Sequence, residues 1–284
     1  MKIDLNSPET LVRKDKKGQI RKINHFKNPV KTDGKEVKKL NPKELSIEYI
    51  KTISPFLKIE RQIENIERKP SLNLEKDELE IHFNGDKIKE NLSLISFYQT
   101  FFGIKLWKSS FSLRIDRINL TILNFLSSIN YDEINIDKPT EKELSNYSNI
   151  TTHNLADLLN FPVKYVTKIN KSKNLYVFKY TKKERLGLPL KENNKSDFKQ
   201  IIKNLPRVTL EENSFRIVRE VLFSSYLENL GLAHWRCLVD VQNGDVLYLL
   251  PFVFSIDGLV FKNDPITMGN NVNVDDSNSV LNPV

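Results

Sequence analysis

A chain of 284 residues, 39% hydrophobic and 28% charged, can bury a sizeable core and is long enough for two ordinary domains. No run approaches the ~20 apolar residues of a membrane-spanning helix. The opening Met1-Lys2-Ile3-Asp4-Leu5 leads into no apolar stretch of the signal-peptide kind. The expectation is a cytoplasmic chain as it stands, or a secreted one if a signal lies outside this sequence. The single Cys237 excludes an internal disulfide and a multi-cysteine metal cage.

The net charge of +8 is uneven: residues 1–43 hold 13 Lys/Arg against 5 Asp/Glu, and the rest of the chain is balanced. Such an arm can meet phosphate, acidic lipid or an acidic partner, or simply be a solvated leader. Its one aromatic residue is Phe26. Without further stacking rings, nucleic acid is not an expected partner.

In chain order, Asp15 to Gly18 is turn chemistry between two short segments and predicts a small hairpin over 11–26. Asn41-Pro42 forms an N-cap and N1 pair for a helix starting near Lys43. Leu45, Ile47, Tyr49, Ile50 and Ile53 make its apolar face, and Pro55 is expected to bend or end it. Alternation predicts strands over 79–83, 92–102, 111–115 and 120–129, an antiparallel sheet with the helix on one face. Gly103 marks a bulge or a close packing point.

The pattern then restarts. Residues 142–159 predict a helix or a pair of short ones. Strands over 163–169 and 175–180 are expected to pair through a turn at 170–174. Residues 187–194 read as a polar loop, and β-branched content makes 215–223 a strand. Residues 235–248 predict a hairpin closed by Asn243-Gly244, the pair with φ > 0 that a two-residue type I′ turn requires. Beyond Asp257 the chain changes character, and residues 263–284 are polar with no Lys or Arg.

The fold class expected is α+β, two cystatin-like halves, each an antiparallel sheet packed on a helix. The boundaries expected are a basic leader or hairpin over 1–43, a first module over 44–137, a second over 138–256 and a polar tail over 257–284.

Chemistry-bearing residues are sparse. His82 alternates with strand core positions and is expected to be solvated; His25, His153 and His234 have no local set of ligands around them. Cys237 lies within an apolar strand, as a buried inert thiol does. Asp275-Asp276 lacks the alternating spacing of a calcium loop, and the nine glycines form no phosphate-binding pattern. No metal, cofactor or catalytic residue is assigned.

Two stretches carry a family signal. Tyr98-Gln99-Thr100-Phe101-Phe102-Gly103-Ile104-Lys105-Leu106-Trp107 resembles the core motif of fungalysin/thermolysin-type propeptide modules, with Lys105 where that pattern favours proline. Trp235 to Tyr248, with Val239-Asp240 and Gly244-Asp245-Val246-Leu247, is similar to the end of a PepSY-type module. Asp257 to Phe261 with Asp264-Pro265 is similar to the exit segment leading to a protease domain.

The resemblance implies a non-catalytic propeptide-like module. It binds, assists folding of and masks a metallopeptidase domain, supplied in cis downstream or in trans, and cleavage after Phe261 releases it. None of the four histidines opens the His-Glu-x-x-His pair of such peptidases. Tyr98, Gln99, Phe102, Gly103, Trp107 and Trp235 are then candidates for partner contact or for core, and Asn243 and Gly244 for the hairpin turn. The alternative is a stand-alone intracellular interaction or scaffold protein with this fold and no peptidase partner.

Overall fold

The computed structural model describes residues 3–25, 30, 41–186, 205–227, 231–254, 259–261 and 281–283. The chain forms two compact units. The first is Met1–Asn146 with Asn174–Thr181 and Leu210–Arg219; the second is Tyr147–Lys173, Lys182–Thr209 and Glu220–Val284. The fold is α+β, and in each unit helix packs on antiparallel strands.

The expected boundaries are crossed in both directions. The 11–26 hairpin is present as β1 (Leu11–Lys14) and β2 (Ile20–Asn24), and it belongs to the first unit's sheet. Its anchor is the pairing of β2 with β6 (Thr121–Ser127), which joins the leader to the sheet and buries Ile20 and Ile23.

In the first unit the sheet continues through β3 (Leu79–Lys89), β4 (Leu92–Phe101) and β5 (Ile104–Asp116), in the order β1-β2-β6-β5-β4-β3. Alternation along β4 and β5 sends Ile95, Phe97, Phe111, Leu113 and Ile115 inward. Phe97 and Phe111 stack there at 4.9 Å. Helix α1 (Pro42–Leu57) covers this face with Leu45, Tyr49, Ile50, Ile53 and Leu57, all in one buried cluster with the strand residues.

Asn41 and Glu44 form a reciprocal capping box at the helix start. Pro55 does not end the helix, which runs on to Leu57 and stops at Lys58, in the left-handed region at φ 57°. The missing proline N–H leaves the Lys51 carbonyl, and the Ser54 hydroxyl donates to it at 2.9 Å.

The strands expected over 163–169 and 175–180 exist as β7 (Val166–Lys171) and β8 (Leu175–Lys179), but they do not pair with each other. Both pair with β9 (Phe215–Leu227), whose 13 residues are long enough to take β8 along Phe215–Arg219 and β7 along Leu222–Ser225. β8 also meets β5 in parallel at Leu106↔Val177, a contact that draws it into the first unit. A short helix, α2 (Glu141–Ser145), also lies in the first unit.

In the second unit, β7, the end of β9, β10 (Gly231–Asp240) and β11 (Val246–Phe254) are neighbours in that order. Helix α3 (Thr152–Leu159) buries Leu155, Ala156 and Leu159 against Phe223, Trp235, Cys237 and Val239. Beyond them β12 (Leu259–Phe261) pairs with β13 (Leu281–Pro283). The loop read at 187–194 and most of the polar tail lie outside the described residues. No helix among the described residues is long and apolar enough to cross a membrane.

The two-residue type I′ geometry expected at Asn243-Gly244 occurs instead between β4 and β5. Phe101 pairs with Ile104, and Phe102 and Gly103 between them both have positive φ, 56° and 75°. A methyl group on Gly103 would lie 2.0 Å from the Ser71 carbonyl oxygen. Gly18, in the β1–β2 turn, has a similar φ of 77° but open space around it. Gly103→Ala therefore meets backbone strain and overpacking together and should cost about 3 kcal/mol or more. Gly18→Ala meets the strain alone and should cost about 1 kcal/mol. Urea denaturation of the two variants measures the difference; equal costs would mean that Ser71 yields freely.

Candidate functional site

The Tyr98–Trp107 segment splits into two faces, because it spans the end of β4, the turn and the start of β5. Gln99 is fully buried at a register shift where β4 and β5 lose their regular pairing. Its Nε2 donates to Gln62 Oε1 at 2.8 Å and to the Asn130 carbonyl at 3.0 Å. Its Oε1 accepts from the Asn130 backbone N–H at 2.7 Å and from the Ser109 hydroxyl. The amide is thus spent on the fold.

Phe102 and Gly103 form the buried turn just described, and the Phe102 carbonyl accepts from the Asn73 N–H at 3.0 Å. Tyr98, by contrast, points to the sheet face opposite α1. The Lys105 ammonium sits 4.5 Å from its ring centroid, and burial lowers the pKa of that lysine. Trp107 is half-buried, edge-on to Tyr176 at 4.9 Å.

Trp235 is 1% exposed; its indole donates to Ser225 Oγ at 2.7 Å and lies parallel to Phe223. Cys237, two residues on, is buried, and desolvation pushes its thiol up to about 12, so it keeps its proton at neutral pH.

Asn243 and Gly244 close a five-residue loop, not a two-residue turn. Only Gly244 has positive φ, 80°. The Gly244 N–H donates to the Asp240 carbonyl, and the Asp240 N–H to the Asp245 carbonyl. The Asn243 side-chain oxygen accepts from the Asp245 N–H at 2.9 Å, and Asn243 itself lies outside the left-handed region. A Cβ on Gly244 would meet the Tyr147 hydroxyl at 2.6 Å, so the glycine answers to packing as well as to the turn.

The histidines do not converge. His82 is not solvated; it is 2% exposed, because the chain at Arg68 covers that part of β3 and offers its carbonyl to Nδ1 at 2.9 Å. His25 is buried under the sheet and shares a 2.8 Å hydrogen bond with the Tyr49 hydroxyl. His234 lies 3.0 Å from Ser224 Oγ, and His153 is exposed. Among the described residues no three His, Cys, Asp or Glu side chains are placed to hold a metal ion. A shallow cleft of about 720 Å³ near the end of α1 is lined by Glu60, Asp77, Glu78 and Glu133 against Lys58 and Arg61.

Periodicity alone missed the open face of the first sheet. Two cross-strand rows run over all six strands. One is Arg13, Lys22, Leu126, Ser112, Ser96 and Gly85; the other is Leu11, Asn24, Asn124, Arg114, Leu94 and Lys87. Leu11, Leu94 and Leu126 are 43–48% exposed, so the described residues leave these two rows open, although the chain at Arg68 covers the same side further along β3 at His82. Only the register, which a sequence does not state, puts these residues side by side.

No protein-family model matches the sequence, and no curated protein matches it. Among solved structures, the Bacillus megaterium YpeB C-terminal domain aligns over 89% of this chain and 88% of that chain, at 9% identity and a TM-score of 0.30. That is a distant likeness and carries nothing about binding or chemistry.

Two outcomes follow from the buried polar groups. Gln99→Leu removes the acceptor of the Ser109 hydroxyl and the donor to the Asn130 carbonyl and Gln62, leaves the Asn130 N–H only its bond to Ser109 Oγ, and should cost about 3 kcal/mol. Ser112→Ala on the open face should cost under about 0.5 kcal/mol. Thermal and urea melts compare them.

For His25, burial lowers the imidazole from its ordinary 6.5 to about 4. Below about pH 6.5 the unfolded chain takes up a proton that the folded protein refuses until about pH 4. The associated stability is fully present above about pH 6.5 and lost on acidification towards pH 4, by on the order of 3 kcal/mol. Urea midpoints at stepped pH measure the slope. His25→Gln should lose that part of it; an unchanged slope would show that other groups carry it.

Proposed function

We propose that this chain is a non-catalytic, propeptide-like module that binds a folded metallopeptidase domain, assists its folding and masks its cleft, using no cofactor of its own. The observation that carries the binding reading is the one-sided covering of the first sheet. α1 buries one face, while the other stays open along two rows that cross all six strands and carry three exposed leucines. The resemblance of Tyr98–Trp107 and Trp235–Tyr248 to propeptide modules supplies the class of partner.

Gln99, Phe102, Gly103 and Trp235 are committed to packing and hydrogen bonds within their own units. They hold the scaffold, and other side chains make the contact. The mechanism is thermodynamic and steric. A module that binds the native peptidase and not its unfolded chain stabilises it by mass action, by about 2.7 kcal/mol at a hundredfold excess over Kd.

The test mixes the full chain with catalytic domains of thermolysin-type zinc peptidases. Saturating module should raise the peptidase Tm by roughly 5–10 °C, the shift such a free energy gives a domain of ordinary size. It should also lower cleavage of a protein substrate and increase the activity recovered on refolding. No change in Tm, cleavage or refolding yield across several such peptidases would overturn the reading.

A further inference from the structure

We propose that the two outward rows of the first unit's sheet are a docking surface for an acidic polypeptide segment. This rests on the binding-module reading and names the chemistry of what binds. The rows carry Arg13, Lys22, Arg114 and Lys87 and no carboxylate. None of the four has an ion pair among the described residues, although the chain holds 36 Asp and Glu.

Arg13 stands directly opposite Lys22. Like charges so placed across two strands cost stability. A solvated face without a task has no reason to keep that pair, and a face that receives carboxylates does. Along β5 the next residue on this side after Arg114 is a carboxylate, Asp116, one row further out. Its oxygens accept from the Ile118 and Asn119 N–H groups and the Asn119 amide, so it is turned into its own turn.

The texture of the face fits a polypeptide. Ser112, Ser96 and Gly85 leave low ground between the exposed Leu94 and Leu126, and Asn24 and Asn124 add donors and acceptors. The two rows cross five strand spacings, roughly 24 Å. That is less than a standard protein interface needs, so the partner extends past them onto the surrounding loops.

A single-stranded nucleic acid wants stacking rings among its cations, and neither row has one. The leucines stand singly between polar residues, unlike the continuous apolar band of a membrane-seated surface. A second copy would set cation against cation.

The experiment titrates the full ¹⁵N-labelled chain with poly-L-glutamate of about 20 residues at low salt, following backbone amide shifts, with oligo-dT of equal charge and phosphatidylserine vesicles as rivals. Polyglutamate shifts should concentrate on β1, β2, β6, β5, β4 and β3 at the row positions. The double variant Lys22→Ser/Arg114→Ser should weaken binding at least about fivefold, and Lys51→Ser/Lys142→Ser, an equal loss of charge elsewhere, by less than about twofold.

Shifts centred elsewhere would overturn the proposal, as would equal weakening by both double variants or tighter binding of oligo-dT or vesicles to the same rows. The map uses the unmodified chain, so it decides even if a variant misfolds. If the rows bind polyglutamate and no peptidase binds, the peptidase reading fails and the surface stands. If a peptidase binds Lys22→Ser/Arg114→Ser as tightly as the native chain, the surface fails and the peptidase reading stands.

Discussion

The first unit depends on the hydrogen bonds of one buried amide. At Gln99 the β4–β5 ladder is interrupted, the chain leaving β6 returns at Asn130, and the turn of helix at Arg61–Ile63 brings Gln62 close. Each of these segments brings polar groups to the buried Gln99 side chain. One side chain with two donors and two acceptors satisfies them together. That network also holds the interruption that separates the regular ladder of β4 and β5 from the turn at Phe102-Gly103.

That turn shows how sterics select a residue pair. A right-handed strand twist favours a two-residue connection with both residues at positive φ. Gly103 supplies one at no cost, and its missing side chain admits the Ser71 backbone. Phe102 takes the other against its preference. It does so with its ring buried beside Phe101 at 4.4 Å and its carbonyl accepting from Asn73. Burial of an aromatic ring, on the order of 2–3 kcal/mol, exceeds the ~1 kcal/mol strain of a left-handed residue.

The second unit solves a similar problem with Trp235. Its indole fills the space under α3, and its one donor is met by Ser225 on the neighbouring strand β9. Glu220, also on β9, is buried and forms an ion pair with Arg236, its Oε1 2.9 Å from Nε. A buried carboxylate is tolerable only with such a partner. Both pairs join β9 to β10, so the polar contacts reinforce the strand pairing that the apolar residues drive.

Local chemistry in the sequence was enough for several elements. The Asn41-Pro42 start of α1, the Asp15–Gly18 hairpin, the two short helices before Pro162, the strand over 215–223 and the α+β class all follow from caps, turn residues and periodicity. These act within a few residues. The sequence did not determine which strand pairs with which, because pairing is decided by long-range burial. Thus β7 and β8, adjacent in the chain, both went to β9. Nor did it determine the turn at Gly244, where the same Asn-Gly pair is compatible with a longer loop once Asn243 bonds back to Asp245. It misplaced His82, because alternation reports which side of a strand a residue faces and not whether another segment covers that side. The cationic rows existed only as scattered lysines and arginines until register brought them together. Register is a property of the folded sheet, set by which faces bury their apolar side chains, and so only the tertiary structure could assemble that surface.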